Sequence, residues 1–189
     1  IGYISFVRLN CVVLLFDNKL TNSDFQKLLD NYHPDYIFHP KNKFSCKINY
    51  KNVFDFKNYE LLKNKKDMKH KLNKELALLM STSGSMGSSK LVRQSYGNVI
   101  CNIQQIDNFL KIKSSDCSIT TMPMNYTYGL SIIHTHLYKG ASIVLSEENL
   151  MNKQFWELFG SCKVTNFGGV PYIYEILKKL NFKKKFFKD

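Results

Sequence analysis

The stretch STSGSMGSSK (residues 81–90) follows directly on the apolar run LALLM (residues 76–80). Its small hydroxyl residues and glycines leave the backbone amides uncovered, so several N–H groups and hydroxyls can converge on anionic oxygens. Lys90 adds a mobile positive charge at the end of the stretch. The pattern predicts a phosphate-binding loop.

The segments on either side predict how this loop is held. The short apolar run before it predicts a buried strand, and helical spacing of apolar residues over 96–110 predicts a helix after it. We therefore expect the loop to join a strand to the start of a helix. A Walker A loop is excluded because Leu91, rather than Ser or Thr, follows Lys90, and the dinucleotide pattern GxGxxG is absent.

Further from the loop, periodicity predicts alternating strands and helices. Strands are expected at 36–39, 118–122, 142–145 and 164–167. Helices are expected from Asn22 or Ser23 as the cap to about Tyr32, and at 131–137 and 154–159. Residues 41–74 predict a surface excursion with short strands. The alternation indicates an α/β fold with a mostly parallel sheet and ligands beyond the carboxyl ends of its strands.

The composition is that of a globular chain. Its 189 residues are 44% hydrophobic and 14% aromatic, and the apolar run at 11–16 is far shorter than the roughly 20 residues of a membrane span. Five cysteines without a CxxC pair indicate reduced thiols and a cytoplasmic protein. His134 and His136 stand two apart on a predicted helix without a nearby third ligand, so no metal site is predicted.

The net charge of +12 raises a second hypothesis, a lysine-rich module that binds nucleic acid or another polyanion. Aromatic residues interleave with the lysines of residues 41–74, as they do in some nucleic-acid-binding segments. The excess is almost wholly lysine, however, and bidentate recognition of phosphates and bases favours arginine. A solvated lysine surface is therefore the preferred interpretation, and we do not expect a nucleic-acid partner.

TSGSMGSSK resembles the TSGTTGxPKG phosphate loop of the adenylate-forming superfamily, which includes acyl-CoA synthetases, luciferases and nonribosomal peptide adenylation domains. PMNYTYGL (123–130), KGASIVL (139–145) and GGVPYIYEIL (168–177) are similar to later segments of the family and follow in its order. Residues 2–17 resemble its early helix and buried strand. The pattern is most similar to bacterial AMP-dependent acyl-CoA synthetases. Met86, Ser89 and Leu91 depart from the family loop, and Tyr126 takes the position often held by histidine.

The resemblance implies that residues 1–189 are part of the layered N-terminal adenylation domain. It implies truncation at both ends, without the ribose-binding segment and the C-terminal lid. Such a piece would be incomplete for catalysis alone, and an inactive remnant is a third hypothesis. The family's ATP phosphate-binding positions fall on Thr82, Ser83, Gly84, Ser85, Gly87 and Lys90. Its acyl pocket falls on Tyr126, Gly129, Gly169, Val170 and Pro171. No catalytic residue can be carried over.

The activity implied by the resemblance is ATP-dependent activation of a carboxylic acid. ATP and Mg²⁺ would be required, and the acyl group would pass from the adenylate to the thiol of CoA or of phosphopantetheine. A small carboxylic acid and an acyl carrier protein are the implied partners. The sequence leaves the identity of the acid and the choice between the two acceptors open.

Overall fold

A computed structural model describes residues 1–17, 19–44, 49–81 and 91–179. The chain divides into two compact units, here called the N-terminal unit (Ile1–Tyr96) and the C-terminal unit (Gly97–Asp189). Together they combine helices with parallel and antiparallel strands, which confirms the α/β class. Whether residues 1–189 form part of one adenylation domain stays a prediction.

The N-terminal unit contains two sheets, each of three strands. Its elements are α1 (Gly2–Arg8), β1 (Val13–Leu14), α2 (Asn22–Tyr32), β2 (Tyr36–Pro40), β3 (Tyr50–Phe56), β4 (Tyr59–Asn64), β5 (Leu76–Ser81) and β6 (Leu91–Ser95). The first sheet has the order β1-β5-β6, and the second has the order β2-β4-β3. The helix and strand expected within residues 2–17 are confirmed by α1 and β1.

The first sheet pairs strands in both directions. β1 and β5 run parallel, with Val13 opposite Leu78, as alternating strands and helices predict. β5 and β6 run antiparallel, with Met80 opposite Val92. Leu78 and Met80 are each 1% exposed, so β5 is the buried centre of this sheet. The buried strand expected before the phosphate loop is therefore confirmed.

The second sheet corrects the interpretation of residues 41–74. β3 and β4 form an antiparallel hairpin that supplies Tyr50 and Leu62 to the core of the unit. The Tyr50 hydroxyl also donates a hydrogen bond to the carbonyl of Pro34, 3.1 Å away. The short strands expected in this segment are therefore present, and the correction is that they contribute to the core rather than only to the surface. Lys51 and Lys63 are exposed, in keeping with a solvated lysine surface.

The N-cap of helix α2 lies one residue before the earlier of the two caps predicted from the sequence, Asn22 and Ser23. Thr21 is the N-cap, with extended backbone angles, and its Oγ1 accepts a hydrogen bond from the Asp24 amide over 3.2 Å. The same hydroxyl donates to Asp24 Oδ2 over 2.7 Å. This bond and the Lys27 ammonium hold the pKa of Asp24 below its ordinary value. The Asn22 backbone is already helical, so neither Asn22 nor Ser23 is the cap.

Removing this cap should weaken the N-terminal unit. Thr21→Ala leaves the Asp24 amide without its acceptor, and loss of such a cap costs about 1 kcal/mol. Chemical unfolding followed by far-ultraviolet circular dichroism measures this loss. Ser23→Ala, an exposed substitution in the same helical turn, is the matched control and should change the unfolding free energy by less than about 0.5 kcal/mol. Equal losses in the two variants would contradict the assignment of Thr21.

The C-terminal unit is built on a small parallel sheet covered by helices. Its elements are α3 (Tyr96–Leu110), which begins at the boundary, β7 (Cys117–Ile119), α4 (Thr127–Tyr138), β8 (Ser142–Val144), α5 (Lys153–Ser161) and α6 (Pro171–Lys179). β7 and β8 are parallel, with Ser118 opposite Ile143, and α4 connects them. Each helix expected in this part of the chain is confirmed, with α4 starting four residues earlier than predicted.

The strand expected at 164–167 is present only as a single parallel bridge, between Asn166 and Ser118. The Thr165 amide donates to the carbonyl of Cys117 over 2.8 Å, so the segment still follows β7. β7 itself ends at Ile119, three residues short of the prediction. At Thr121 the contact with this segment is made by the side chain, whose hydroxyl donates to the carbonyl of Gly168.

The core of the C-terminal unit centres on two side chains that are 0% exposed, Ile119 of β7 and Phe155 of α5. They pack with Leu150, Val164, Ile173, Ile176 and Leu177. Trp156 packs against this core and donates from Nε1 to the carbonyl of Leu150 over 2.8 Å. The apolar faces of α5 and α6 thereby fix the chain on both sides of residues 164–170.

Candidate functional site

The predicted phosphate loop is closed by two paired strands. Thr82, Ser83, Gly84, Ser85, Gly87 and Lys90 lie outside the described residues. The residues that flank them, Ser81 and Leu91, are direct partners at the end of the β5–β6 pair. The expectation that the loop leads straight into a helix is therefore wrong, because β6 intervenes before α3 begins at Tyr96. The loop starts at the carboxyl end of β5, beside its parallel neighbour β1.

The second predicted segment forms the first turn of α4. Tyr126 is the N-cap, and its amide donates to the carbonyl of Pro123 over 3.2 Å. A Cβ at Gly129 would lie 2.8 Å from the carbonyl oxygen of Met122 and nearer still to that of Pro123. Only glycine fits here, since backbone cannot yield to a side chain as a flexible group can. The Tyr126 side chain is 41% exposed at this turn.

The third predicted segment leads into α6. Pro171 is the first residue of that helix, a position that suits proline because it needs no amide donor. A Cβ at Gly169 would come within 2.9 Å of Ile173 Cγ2, so the backbone of Gly169 lies close to the first turn of α6. Val170 lies between these two residues and is partly buried against the core of the unit.

The structure brings the second and third segments together at Gly168. The built Cβ of this glycine lies 2.9 Å from the Tyr128 hydroxyl and 2.5 Å from Ile132 Cδ1, both on α4. The Thr121 hydroxyl donates a hydrogen bond to the carbonyl of Gly168. The predicted acyl-site residues thus lie on the two segments that meet at Gly168. Tyr126 and Gly129 belong to the first turn of α4, and Gly169, Val170 and Pro171 follow Gly168 into α6.

A buried polar network, which the sequence did not reveal, ties α4 to the segment before Gly168. His136 is 3% exposed, its Nδ1 donates to the carbonyl of Ile132 over 2.8 Å, and its Nε2 lies 3.1 Å from Asn166 Oδ1. The neighbouring Thr165 hydroxyl donates to Asp116 Oδ1 over 3.0 Å. The partner of His136 lies 30 residues away in the chain, so no local sequence pattern indicates this contact.

The carboxylate of Asp116 is stabilised chiefly by two neutral hydrogen-bond donors. The backbone amide of Lys113 and the hydroxyl of Thr165 hold the pKa of Asp116 below its ordinary value. On the opposite side of α4, burial lowers the pKa of His134 from 6.5 to about 4, which keeps this imidazole neutral at pH 7. His134 and His136 therefore lie in different environments, although they are only two residues apart.

The part of the chain that the structure describes contains neither a candidate metal site nor a candidate membrane-spanning helix. Its histidines, cysteines and acidic residues form no group of three that could hold a metal ion. Its helices include none that is long and apolar enough to span a bilayer. The four described cysteines, Cys11, Cys101, Cys117 and Cys162, are all free thiols.

Curated relatives match parts of the chain. An acyl-CoA ligase of Glarea lozoyensis is 31% identical over 75 residues, which are 38% of this chain and 13% of the relative. The oxalate–CoA ligase of Saccharomyces cerevisiae is 27% identical over 105 residues, which are 56% of this chain and 19% of the relative. The matched segments thus span less than a fifth of these relatives' length.

A solved structure matches nearly the whole chain. The o-succinylbenzoate CoA synthetase of Bacillus subtilis, in complex with its acyl-adenylate intermediate, aligns with 94% of this chain and 47% of its own, with a TM-score of 0.66. At 18% identity, this likeness establishes the adenylate-forming fold and nothing finer.

The family model for AMP-binding enzymes matches residues 1–189. The match confirms the resemblance that rested on the loop at 81–90 and on the ordered segments after it. The chain belongs to the AMP-binding enzyme family.

Proposed function

We propose that this chain supplies the phosphate loop and part of the acyl-binding side of an AMP-forming acid–thiol ligase. The observation that carries the proposal is the family match over residues 1–189. Two features of the structure support it: the loop begins and ends on the paired residues Ser81 and Leu91, and α4 meets the segment before α6 at Gly168. The names of the curated relatives, acyl-CoA and oxalate–CoA ligases, agree with this activity.

The proposed reaction has two steps. A carboxylate oxygen attacks the α-phosphorus of ATP, pyrophosphate leaves, and an acyl-adenylate forms. The sulfur of CoA, or of phosphopantetheine on an acyl carrier protein, then attacks the acyl carbon and releases AMP. Transfer of this kind depends chiefly on positioning and on neutralising charge. Reduced cysteines fit a cytoplasmic setting for this chemistry.

The loop's part in this scheme is to hold the β and γ phosphates of ATP. Amides and hydroxyls of Thr82, Ser83, Gly84, Ser85 and Gly87 would donate to the phosphate oxygens, and Lys90 would place a cation beside them. Mg²⁺ would arrive with the nucleotide, since it binds chiefly through phosphate oxygens and water in such sites.

The acyl part of the site would lie where α4 meets the start of α6. Tyr126 and Gly129 would line it from the first turn of α4, and Gly169, Val170 and Pro171 from the other side. The His136–Asn166 bond would keep these two sides at a fixed separation, because it connects α4 to the residues just before Gly168.

Substitution of Lys90 tests the proposal. In the full-length protein, Lys90→Ala should weaken MgATP binding about tenfold, since a hydrogen bond to a charged group contributes about 1.5–3 kcal/mol. Isothermal titration measures the affinity. Lys74→Ala, an exposed lysine just before β5, is the matched control and should bind MgATP as the unsubstituted protein does.

Two outcomes would count against this assignment. Equal MgATP affinity in the Lys90 and Lys74 variants would remove Lys90 from the site. Affinity that falls steeply with salt and persists in the Lys90 variant would instead support the lysine-rich polyanion module.

A further inference from the structure

Four side chains form a continuous series of hydrogen bonds from the residue before β7 to α4. Asp116 Oδ1 accepts from the Thr165 hydroxyl over 3.0 Å. Asn166 Nδ2 lies 3.2 Å from the same hydroxyl, and Asn166 Oδ1 lies 3.1 Å from His136 Nε2. The other ring nitrogen, Nδ1, lies 2.8 Å from the carbonyl of Ile132. We call Asp116, Thr165, Asn166 and His136 the polar chain.

The charge on Asp116 fixes the direction in which the polar chain donates. The pKa of Asp116 lies below its ordinary value, so its carboxylate is ionised at pH 7 and only accepts hydrogen bonds. The single proton of Thr165 is therefore directed to Asp116 rather than to the neutral carbonyl of Cys117, which is 3.3 Å away. The Thr165 oxygen then accepts from the Cys117 amide over 3.1 Å and from Asn166 Nδ2. This arrangement leaves Asn166 Oδ1 facing the His136 ring.

Both nitrogens of the His136 ring thus face oxygen acceptors, Asn166 Oδ1 and the carbonyl of Ile132. A neutral imidazole has one N–H and satisfies only one of them, whereas the imidazolium form satisfies both. Asn166 cannot compensate for a lost proton by turning its amide. Its Oδ1 would then face the Thr165 oxygen, whose own proton is committed to Asp116.

Asp116 also supplies a negative charge that favours the protonated ring. The Lys113 amide and the Thr165 hydroxyl chiefly hold the pKa of Asp116 low, and the charge of His136 adds to their effect. Because the two charges interact, removing the carboxylate's charge should also weaken the preference of His136 for its second proton.

The other titratable groups around α4 are neutral or paired. The strand β8 and residues 164–170 contain no titratable side chain. Burial raises the pKa of Cys117 on β7, which keeps its thiol neutral at pH 7. On α4 itself, burial keeps His134 neutral, and at the end of that helix Lys139 is paired with Asp107 of α3 over 3.1 Å.

We propose that the polar chain is a pH-dependent latch, closed while His136 carries protons on both ring nitrogens and open when the ring has released one of them to water. Imidazole is the side chain that changes charge between about pH 5 and 8. Loss of one proton leaves Asn166 or the carbonyl of Ile132 without its donor, and an unsatisfied buried group costs free energy. Opening removes one of the two attachments of residues 164–168, since only their bonds to β7 remain. The inference concerns the folded chain and does not depend on the proposed ligase activity.

Hydrogen–deuterium exchange of the full-length protein at pH 6 and pH 8.5, followed by mass spectrometry, tests the latch. The amides of Thr165 and Asn166 both donate to the carbonyl of Cys117, over 2.8 and 3.3 Å, so their protection reports whether residues 164–168 stay in place. Protection is corrected for the intrinsic dependence of exchange on pH. It should fall at least about tenfold at pH 8.5, the factor expected for loss of one hydrogen bond to a charged group.

Asp116→Asn should remove this pH dependence, because the new amide reverses the direction of donation. It can accept from the Lys113 amide and donate to the Thr165 oxygen, which frees the Thr165 proton for Asn166 Oδ1. Asn166 Nδ2 then donates to a neutral His136 ring. Protection should therefore differ by less than about twofold between the two pH values. His134→Gln is the matched control, since it replaces the other histidine of α4 and should keep the tenfold change.

A second pair of variants guards against misfolding of the Asp116 variant. Thr165→Val removes the hydroxyl through which Asp116 acts and should also abolish the pH dependence, whereas Thr165→Ser keeps the hydroxyl and should retain it. Protection in the unsubstituted protein that is independent of pH would overturn the latch. An unchanged pH dependence in both Asp116→Asn and Thr165→Val would overturn it too, and loss of the dependence in His134→Gln would assign the effect to His134 instead.

Discussion

Phe155→Ala is expected to lower the free energy of unfolding of the C-terminal unit by about 3–5 kcal/mol, the range found when a fully buried phenylalanine is truncated. Phe155 is 0% exposed and lies at the centre of the cluster formed by β7, α5 and α6. Truncation removes its apolar surface from the core and leaves a cavity, and the surrounding helices can close it only in part.

Urea unfolding followed by tryptophan fluorescence measures this effect directly. Trp156 is the only tryptophan of the chain, and its ring lies 5.0 Å from that of Phe155, so its emission reports on this core. Phe109→Ala is the matched control, because Phe109 lies on α3 of the same unit and is 84% exposed. The control should change the unfolding free energy by less than about 0.5 kcal/mol. Similar losses in the two variants would show that Phe155 is not at the core.

Acidification from pH 7 to pH 5 is expected to cost the C-terminal unit about 2 kcal/mol of stability through His134 alone. Burial lowers the pKa of His134 from 6.5 to about 4. Below pH 6.5 the unfolded chain therefore binds a proton that the folded unit does not, and protonation favours unfolding. The contribution of His134 is fully present above pH 6.5, falls progressively with pH, and reaches its limit near pH 4.

The His134→Gln variant isolates this contribution. Its unfolding free energy, again followed by Trp156, should fall between pH 7 and pH 5 by about 2 kcal/mol less than that of the unsubstituted chain. His33→Asn is the control, since His33 is an exposed histidine of the N-terminal unit at a left-handed backbone position that asparagine tolerates. If the His134 variant loses as much stability on acidification as the unsubstituted chain, the imidazole is not buried in neutral form.

The stability effects at Phe155 and His134 are relevant to the proposed acyl site because both residues support elements that carry its residues. Phe155 supports the cluster in which α6 is anchored by Ile173 and Leu177. His134 lies on α4, which carries Tyr126 and Gly129 at its first turn. Both variants therefore change the stability of elements that carry the proposed acyl-site residues, although neither substitution is at one of those residues.

The family and most elements could be predicted from the sequence because they depend on residues close together in the chain. The loop composition at 81–90, the apolar run before it and the order of PMNYTYGL, KGASIVL and GGVPYIYEIL were enough to indicate the adenylate-forming superfamily. Helices α2 to α5 were anticipated from apolar spacing, which reflects a repeat of 3.6 residues within each helix. The position of the α2 cap was missed by one residue, since several hydroxyl and amide side chains near Thr21 can serve as caps.

The tertiary structure decided what depends on residues far apart in the chain. The antiparallel pairing of β5 with β6 changed the expected route out of the phosphate loop. The short strands expected within residues 41–74 are present, but they form a hairpin that buries Tyr50 and Leu62. The His136–Asn166 bond joins residues 30 positions apart. The contact of Ile132 with Gly168 likewise joins separate elements. Periodicity shows which face of an element is apolar, whereas its partner across the core is chosen by packing, which local sequence does not encode.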